Sequence, residues 1–99
     1  MTTDNQHDAF WMPYTPNRQF KQAPRMLHSA EGVAYRDAQG REILDGTSGL
    51  WCVGAGHRHP RISAALKQQI DQLDFGSNFQ VGHPGAFALA ERIASVAPE

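Results

Sequence analysis

Side chains that could bind a metal ion are few in this sequence, and they are poorly spaced for the purpose. Cys52, His57, His59 and His83 are of the right types. However, His57 and His59 stand two positions apart, whereas zinc sites typically use Cys-x-x-Cys or His-x-x-x-His spacing. We therefore predict no metal site. We expect His57 and His59 to cap the following helix or to make ordinary polar contacts.

Two short patterns around residue 50 resemble the beginnings of catalytic motifs. Gly54 and Gly56 match the first two glycines of a dinucleotide-binding loop, but His59 stands where the third glycine should open a helix. Ser48 lacks the Gly-x-Ser-x-Gly frame that exposes the nucleophile of a hydrolase. The sequence therefore predicts neither a nucleotide loop nor a catalytic serine.

The chain has two lysines, Lys21 and Lys67, and neither stands in a reactive setting. A Schiff-base lysine must be desolvated, or its pKa otherwise lowered, to act as a nucleophile near neutral pH. Lys67 lies on the polar face of a predicted helix, and Lys21 lies between Phe20 and Gln22 in a segment broken by prolines. The residues alone therefore nominate no catalytic and no cofactor-binding side chain.

Charge and hydropathy exclude several classes of partner. The 99 residues carry a formal net charge of −1, so no field of one sign attracts nucleic acid or an anionic membrane. No apolar run approaches the roughly 20 residues that span a bilayer, and the first eight residues lack the apolar core of a secretion signal. The single cysteine cannot form an internal disulfide, which is typical of a reducing compartment. We predict a cytoplasmic protein without a nucleic-acid or membrane partner.

Residues 1–24 give little sign of regular structure. Residues 1–8 are polar and are predicted to form a disordered tail. In residues 9–24, prolines forbid a continuous helix, although the segment is rich in large apolar side chains. This aromatic segment could cover a core, line a pocket or lie at a subunit contact, and we place covering a core first.

The rest of the chain has recognisable periodicity. Alternation of apolar and polar residues predicts an antiparallel meander of two or three strands over residues 25–45, with a turn at Gly40. Apolar residues at helical spacing predict helices from about Pro60 to Leu73 and from about Pro84 to Val96. Between them and the meander, residues 50–53 are too short a run to classify. The predicted fold is an α+β fragment, a small antiparallel meander plus two helices.

Taken together, the motifs of this chain resemble the opening of the class III, pyridoxal-phosphate-dependent aminotransferases. The resemblance covers residues 9–98 and points to the ω-amino acid (β-alanine):pyruvate branch. The motifs that carry it are, in chain order, Phe10-Trp11-Met12-Pro13-Tyr14-Thr15, Asn17-Arg18-Gln19-Phe20, Leu44-Asp45-Gly46-Thr47-Ser48-Gly49-Leu50-Trp51, Gly56-His57, Leu73-Asp74-Phe75 and His83-Pro84.

This resemblance implies the N-terminal part of a fold type I enzyme, too short to be the working enzyme. The parent would be a homodimer that uses pyridoxal phosphate to move an amino group from a β-alanine-like donor to pyruvate. Residues 9–59 would belong to its small domain, and residues 60–99 would lead to a large cofactor domain. The chain alone is then expected neither to bind the cofactor nor to transaminate. The alternative is a free-standing protein-interaction module or a degenerate remnant without catalysis.

The resemblance also assigns roles to four residues. Trp51 and Phe20 match aromatic residues of the substrate pocket, and Asn78 and Phe79 fall in the stretch that reaches into the partner subunit's site. Large rigid apolar side chains shape a pocket and exclude water while the chemistry takes place elsewhere. For Trp51 the alternative is a buried packing residue. The catalytic lysine and the groups that hold the cofactor are expected downstream of Glu99.

Overall fold

A computed structural model describes residues 7–99 of the chain. Of the predicted disordered tail, residues 1–8, the first six residues lie outside the described part of the chain. The chain divides into two compact units, Met1–His59 and Pro60–Glu99. The assignment of residues 9–59 to a small domain and of residues 60–99 to the approach to a larger one stays a prediction.

A three-stranded antiparallel sheet forms the centre of the first unit. Its strands, β1 (Leu27–Glu31), β2 (Ala34–Asp37) and β3 (Glu42–Leu44), are paired in the order β1-β2-β3. Both connections use a glycine in the left-handed region, with φ of +57° at Gly32 and +75° at Gly40. The predicted meander and its turn at Gly40 are confirmed.

Asp37 fixes the turn between β2 and β3. One of its carboxylate oxygens accepts hydrogen bonds from the backbone N–H groups of Gln39 (3.0 Å) and Arg41 (2.9 Å), and the other accepts one from the Arg41 guanidinium (2.6 Å). Burial raises the pKa of this carboxyl, but the hydrogen bonds from Arg41 and Gln39 outweigh it, so the pKa of Asp37 lies below its ordinary value. A charged, nearly buried side chain therefore sets the register of this hairpin.

A short helix, α1 (Asn17–Gln22), interrupts the proline-rich segment that precedes the sheet. The prolines do prevent a continuous helix, but this six-residue helix was not predicted, because it is too short to display a periodic pattern. Asn17, 3% exposed, anchors it: its amide N–H groups donate to the carbonyls of Met12 and Thr15 (both 2.9 Å), and its carbonyl accepts from the Met12 N–H (2.8 Å).

One helical turn, α2 (Ser48–Trp51), follows the sheet and overlaps the first two residues of the run, 50–53, that the sequence left unclassified. Its hydrogen bonds have helical spacing, but its backbone is left-handed, as described below.

Two longer helices make up the second unit. They are α3 (Pro60–Gln72) and α4 (Pro84–Val96), and both predicted helices are confirmed to within a residue at each end. Ala97 is extended, with φ −75° and ψ 146°, as expected for a residue that precedes a proline, so α4 ends there. Within residues 7–99, no helix is long and apolar enough to cross a membrane.

The apolar faces of both units are largely uncovered. In the part of the chain that the structure describes, no apolar side chain is buried. The stripes that amphipathic spacing would turn toward a core are at least half exposed on α3, at Ile62, Leu66 and Ile70, and on α4, at Phe87, Leu89 and Ile93. Leu73, directly after α3, is at least one-third exposed. Because apolar surface of this extent gains free energy when it leaves water, these faces are suited to packing against further protein.

Candidate functional site

A pair of side chains, Asp45 and His57, closes a loop next to the meander. The His57 Nε2 and the Asp45 Oδ2 atoms are 2.6 Å apart. Each end of the loop is also tied to the turn between β1 and β2, since the Asp45 N–H donates to the Val33 carbonyl (2.9 Å) and His57 exchanges two backbone hydrogen bonds with Gly32 (2.7 and 3.0 Å). We call residues 45–57 the Trp51 loop, after the side chain at its outer turn.

The Asp45 carboxylate is the electrostatic centre of the Trp51 loop. Besides His57, it accepts hydrogen bonds from the backbone N–H groups of Gly49 (2.7 Å) and Thr47 (3.1 Å), and its side chain is 4% exposed. The hydrogen bond from His57 lowers the pKa of Asp45 to about 2; burial opposes this, and the N–H groups of Thr47 and Gly49 add to it. The carboxylate is therefore ionised at neutral pH and can only accept, so His57 must carry its proton on Nε2.

Tyr35, on β2, completes the surroundings of this pair. Its ring lies against the His57 imidazole, with ring centroids 4.5 Å apart and an interplanar angle of 56°. Burial of the hydroxyl, together with the nearby charge of Asp45, raises the pKa of Tyr35, so the phenol stays neutral. An ideal Cβ built on Gly49 would lie 3.4 Å from the Tyr35 hydroxyl and 3.1 Å from the Val53 Cγ2 atom. The loop therefore has little room for a side chain at position 49.

The turn α2 has four consecutive residues in the left-handed region. Their φ angles are +51° at Ser48, +59° at Gly49, +61° at Leu50 and +68° at Trp51. For a residue other than glycine, this conformation costs roughly 1–2 kcal/mol, so three of the four are strained. Strain of this kind persists only where surrounding contacts over-determine the backbone. The contacts of Asp45 with Thr47 and Gly49 are of that kind, because they attach the beginning of the turn to the His57 pair.

Trp51 stands at the end of this turn and is 88% exposed. The backbone N–H of Trp51 donates to the Thr47 carbonyl at 2.9 Å. The backbone is therefore fixed, while the side chain points away from the chain's own atoms. Substrate contact stays a prediction. The alternative of a buried packing residue stays a prediction too, because no apolar side chain is buried among residues 7–99.

The other three residues expected at the site lie elsewhere. Phe20, on α1, is half-buried and lines a cavity of about 290 Å³ with Thr15, Pro16, Gln19, Ala23 and Arg25. Asn78 and Phe79 lie between α3 and α4, in the other compact unit, and both are exposed. Within the first unit, the structure brings Phe20 into no described contact with Trp51. Their roles in a pocket stay predictions.

The sequence did not identify Asp45, His57 and Tyr35 as a connected group. A polar contact was expected for His57 and is confirmed, whereas the Nδ1 atom of His59 is shielded and has no hydrogen-bond partner among residues 7–99. Nor do those residues contain three histidine, cysteine or acidic side chains grouped to hold a metal ion. One signal was available: Asp45 begins a glycine-rich loop, and His57 directly follows its last glycine.

Comparison with known proteins gives consistent matches. The family model of class III aminotransferases matches residues 15–99. An omega-aminotransferase from Caulobacter vibrioides is 54% identical over 95 residues, covering 96% of this chain and 22% of that protein. An omega-amino acid–pyruvate aminotransferase from Pseudomonas putida is 47% identical over 91 residues, covering 92% of this chain and 20% of that protein.

Solved structures match the fold of the chain as well. The crystal structure of an omega transaminase from Pseudomonas jessenii in complex with PMP is 30% identical with a TM-score of 0.81, covering 90% of this chain and 20% of that one. The chain thus spans about a fifth of the length of the proteins that it matches and corresponds to their N-terminal part.

Proposed function

Because the chain belongs to the class III aminotransferase family, we propose that it forms the N-terminal, pocket-wall part of a transaminase that moves an amino group from an ω-amino acid or amine to pyruvate. The observation that carries this proposal is the family match over residues 15–99, supported by one relative named omega-aminotransferase and another named omega-amino acid–pyruvate aminotransferase. Those names make a free-standing interaction module the less favoured reading.

Pyridoxal phosphate is the cofactor that we propose for the whole enzyme, and the described residues do not fit it by themselves. The Lys21 amine donates to the Asp8 carbonyl (3.1 Å) and lies 5.7 Å from the centroid of the Trp11 ring, and Lys67 is exposed on α3. Neither amine is desolvated as a Schiff-base lysine requires. We therefore assign no covalent step to this chain.

The role left to these residues is to shape the pocket and to exclude water from it. A rigid indole on a fixed turn limits how large a donor can be without taking part in proton transfer. We propose this role for Trp51, with Phe20 as a second aromatic wall and with Asn78 and Phe79 reaching the site of a partner subunit. The uncovered apolar faces of α3 and α4 favour this assembly, since the rest of the enzyme and a second subunit would cover them. The free Cys52 fits a cytoplasmic location.

A hybrid enzyme tests the proposal. The matching segment of the Caulobacter vibrioides omega-aminotransferase is replaced by this chain, and transamination from β-alanine to pyruvate is measured with pyridoxal phosphate present. We expect activity, and we expect Trp51→Ala to change the ratio of kcat/KM between β-alanine and the bulkier 1-phenylethylamine by roughly tenfold, as is typical when a pocket loses apolar contacts. A hybrid that folds and binds the cofactor but transfers no amino group would contradict the proposal.

A further inference from the structure

The left-handed conformation of α2 needs an explanation beyond the sequence of that turn. Ser48, Leu50 and Trp51 all have positive φ, and none of these residue types favours the left-handed region. The hydrogen bonds within the turn, such as that from the Cys52 N–H to the Ser48 carbonyl (2.9 Å), could form equally well in a right-handed turn. Something outside α2 must therefore select the left-handed form.

Asp45 is the side chain that contacts the turn from outside. Both of its oxygens are used: one faces the Thr47 N–H, and the other is shared by the Gly49 N–H and the His57 Nε2. With the Thr47 hydroxyl (3.3 Å), four donors converge on a carboxylate that is nearly buried, so its orientation has little freedom. The position of the turn thus depends on the direction in which Asp45 points.

His57 in turn fixes the direction of Asp45. Its backbone is paired with Gly32 by two hydrogen bonds, and its ring packs on Tyr35, so the imidazole is anchored to the sheet rather than to the loop. The path from the sheet to the indole therefore runs from Tyr35 and His57 through Asp45 to Gly49 and then to Trp51, which is two residues further along.

We propose that His57 is a positioning residue for substrate specificity, which holds Asp45 so that the left-handed turn sets the place of the Trp51 indole in the donor pocket. This inference rests on the proposed function, because it assumes that Trp51 is a wall of that pocket. As a positioning residue, His57 contacts neither the amino donor nor the cofactor. It acts only through the turn.

The test uses the hybrid enzyme with His57→Leu, which removes the donor to Asp45 at similar size, and His57→Gln, whose amide can still donate. His28→Leu, at an exposed histidine on β1, is the matched control. Two quantities are measured: hydrogen exchange at the amides of Trp51 and Cys52, and the kcat/KM ratio of β-alanine to 1-phenylethylamine.

In His57→Leu we expect exchange to accelerate by roughly tenfold or more, since hydrogen bonds to charged groups are among the stronger ones. The donor ratio should shift toward that of Trp51→Ala, mainly through KM. His57→Gln and His28→Leu should leave both quantities near their original values. In a Trp51→Ala background, His57→Leu should produce no further shift in the ratio, because the wall that it positions is gone.

Several results would overturn the inference. They are an unchanged donor ratio in His57→Leu, an equal loss of kcat for both donors at constant KM, and a shift of the same size with and without Trp51. If His57→Leu does not fold, Gly49→Ala strains the same turn and keeps both side chains of the pair, and an unchanged donor ratio in that variant has the same meaning. If Trp51→Ala itself leaves the ratio unchanged, the proposed wall is wrong and not only the role of His57.

Discussion

Replacing Gly49 with alanine should open the turn that carries Trp51. Gly49 has φ +59° and ψ +39°, a conformation that costs alanine roughly 1–2 kcal/mol more than glycine. The added Cβ would also lie 3.1 Å from the Val53 Cγ2 atom, which must move by a few tenths of an ångström. Together these effects come to about 2 kcal/mol, or roughly 30-fold in the equilibrium between closed and open turn.

Hydrogen exchange in the hybrid enzyme measures this equilibrium directly. The amides of Trp51, Cys52 and Val53 donate to the carbonyls of Thr47 and Ser48 at 2.9 Å, so all three should exchange faster by a similar factor in Gly49→Ala. Exchange in the strands of the meander should not change. The effect is local because the substitution strains the turn and leaves the sheet intact.

Gly54→Ala is the matched control for this substitution. Gly54 lies in the same loop, but a Cβ built there meets no atom within 4 Å, and its φ is not in the left-handed region. We expect a change below about 0.5 kcal/mol, that is, less than about threefold in exchange. If the two alanine variants exchange alike, the left-handed turn does not exist in the assembled enzyme and the reasoning from it fails.

Three further predictions concern Asp45, Asn17 and the isolated chain. The pKa of Asp45 is lowered from 3.8 to about 2, so the stability that its ionised form contributes is complete above about pH 4 and is lost as the pH falls toward 2. The protection of the Trp51 amide, measured relative to the exchange rate of an unprotected amide at the same pH, should fall over that interval, and in Asp45→Asn it should be low and independent of pH there. Asn17→Ala leaves the Met12 N–H and carbonyl without their partner and should destabilise residues 9–24 by about 1–3 kcal/mol. Proteolysis within residues 9–24 should then be faster than in Gln19→Ala, a control at an exposed residue of the same helix. The purified 99-residue chain, whose described apolar side chains are all at least partly exposed, should unfold without a sharp transition and should show no sustained turnover with pyridoxal phosphate; a cooperative melt or steady transamination would contradict this.

Local patterns in the sequence were sufficient to predict the larger elements. The helices at residues 60–72 and 84–96 follow from apolar residues at helical spacing and from prolines near their ends, and the meander follows from alternation and a glycine turn. The six-residue helix α1 escaped prediction because its stability comes from the buried hydrogen bonds of Asn17 with Met12 and Thr15 rather than from any periodic pattern.

Family membership was also available from the sequence, because it depends on the order of short motifs and not on their contacts. The pocket role predicted for Trp51 rests on resemblance alone. Nothing in the types of Ser48, Leu50 and Trp51 indicates a left-handed backbone, and local propensity argues against it.

The sequence by itself thus determined the two long helices, the meander and the family, since these are encoded by periodicity and motif order along the chain. The tertiary structure decided what holds Trp51. Asp45 and His57 are twelve positions apart, and their pairing depends on the β1–β2 turn that anchors both ends of the loop. The free energy of such a contact offsets the entropic cost of closing the loop only once the sheet has formed. No local sequence pattern therefore predicts the contact.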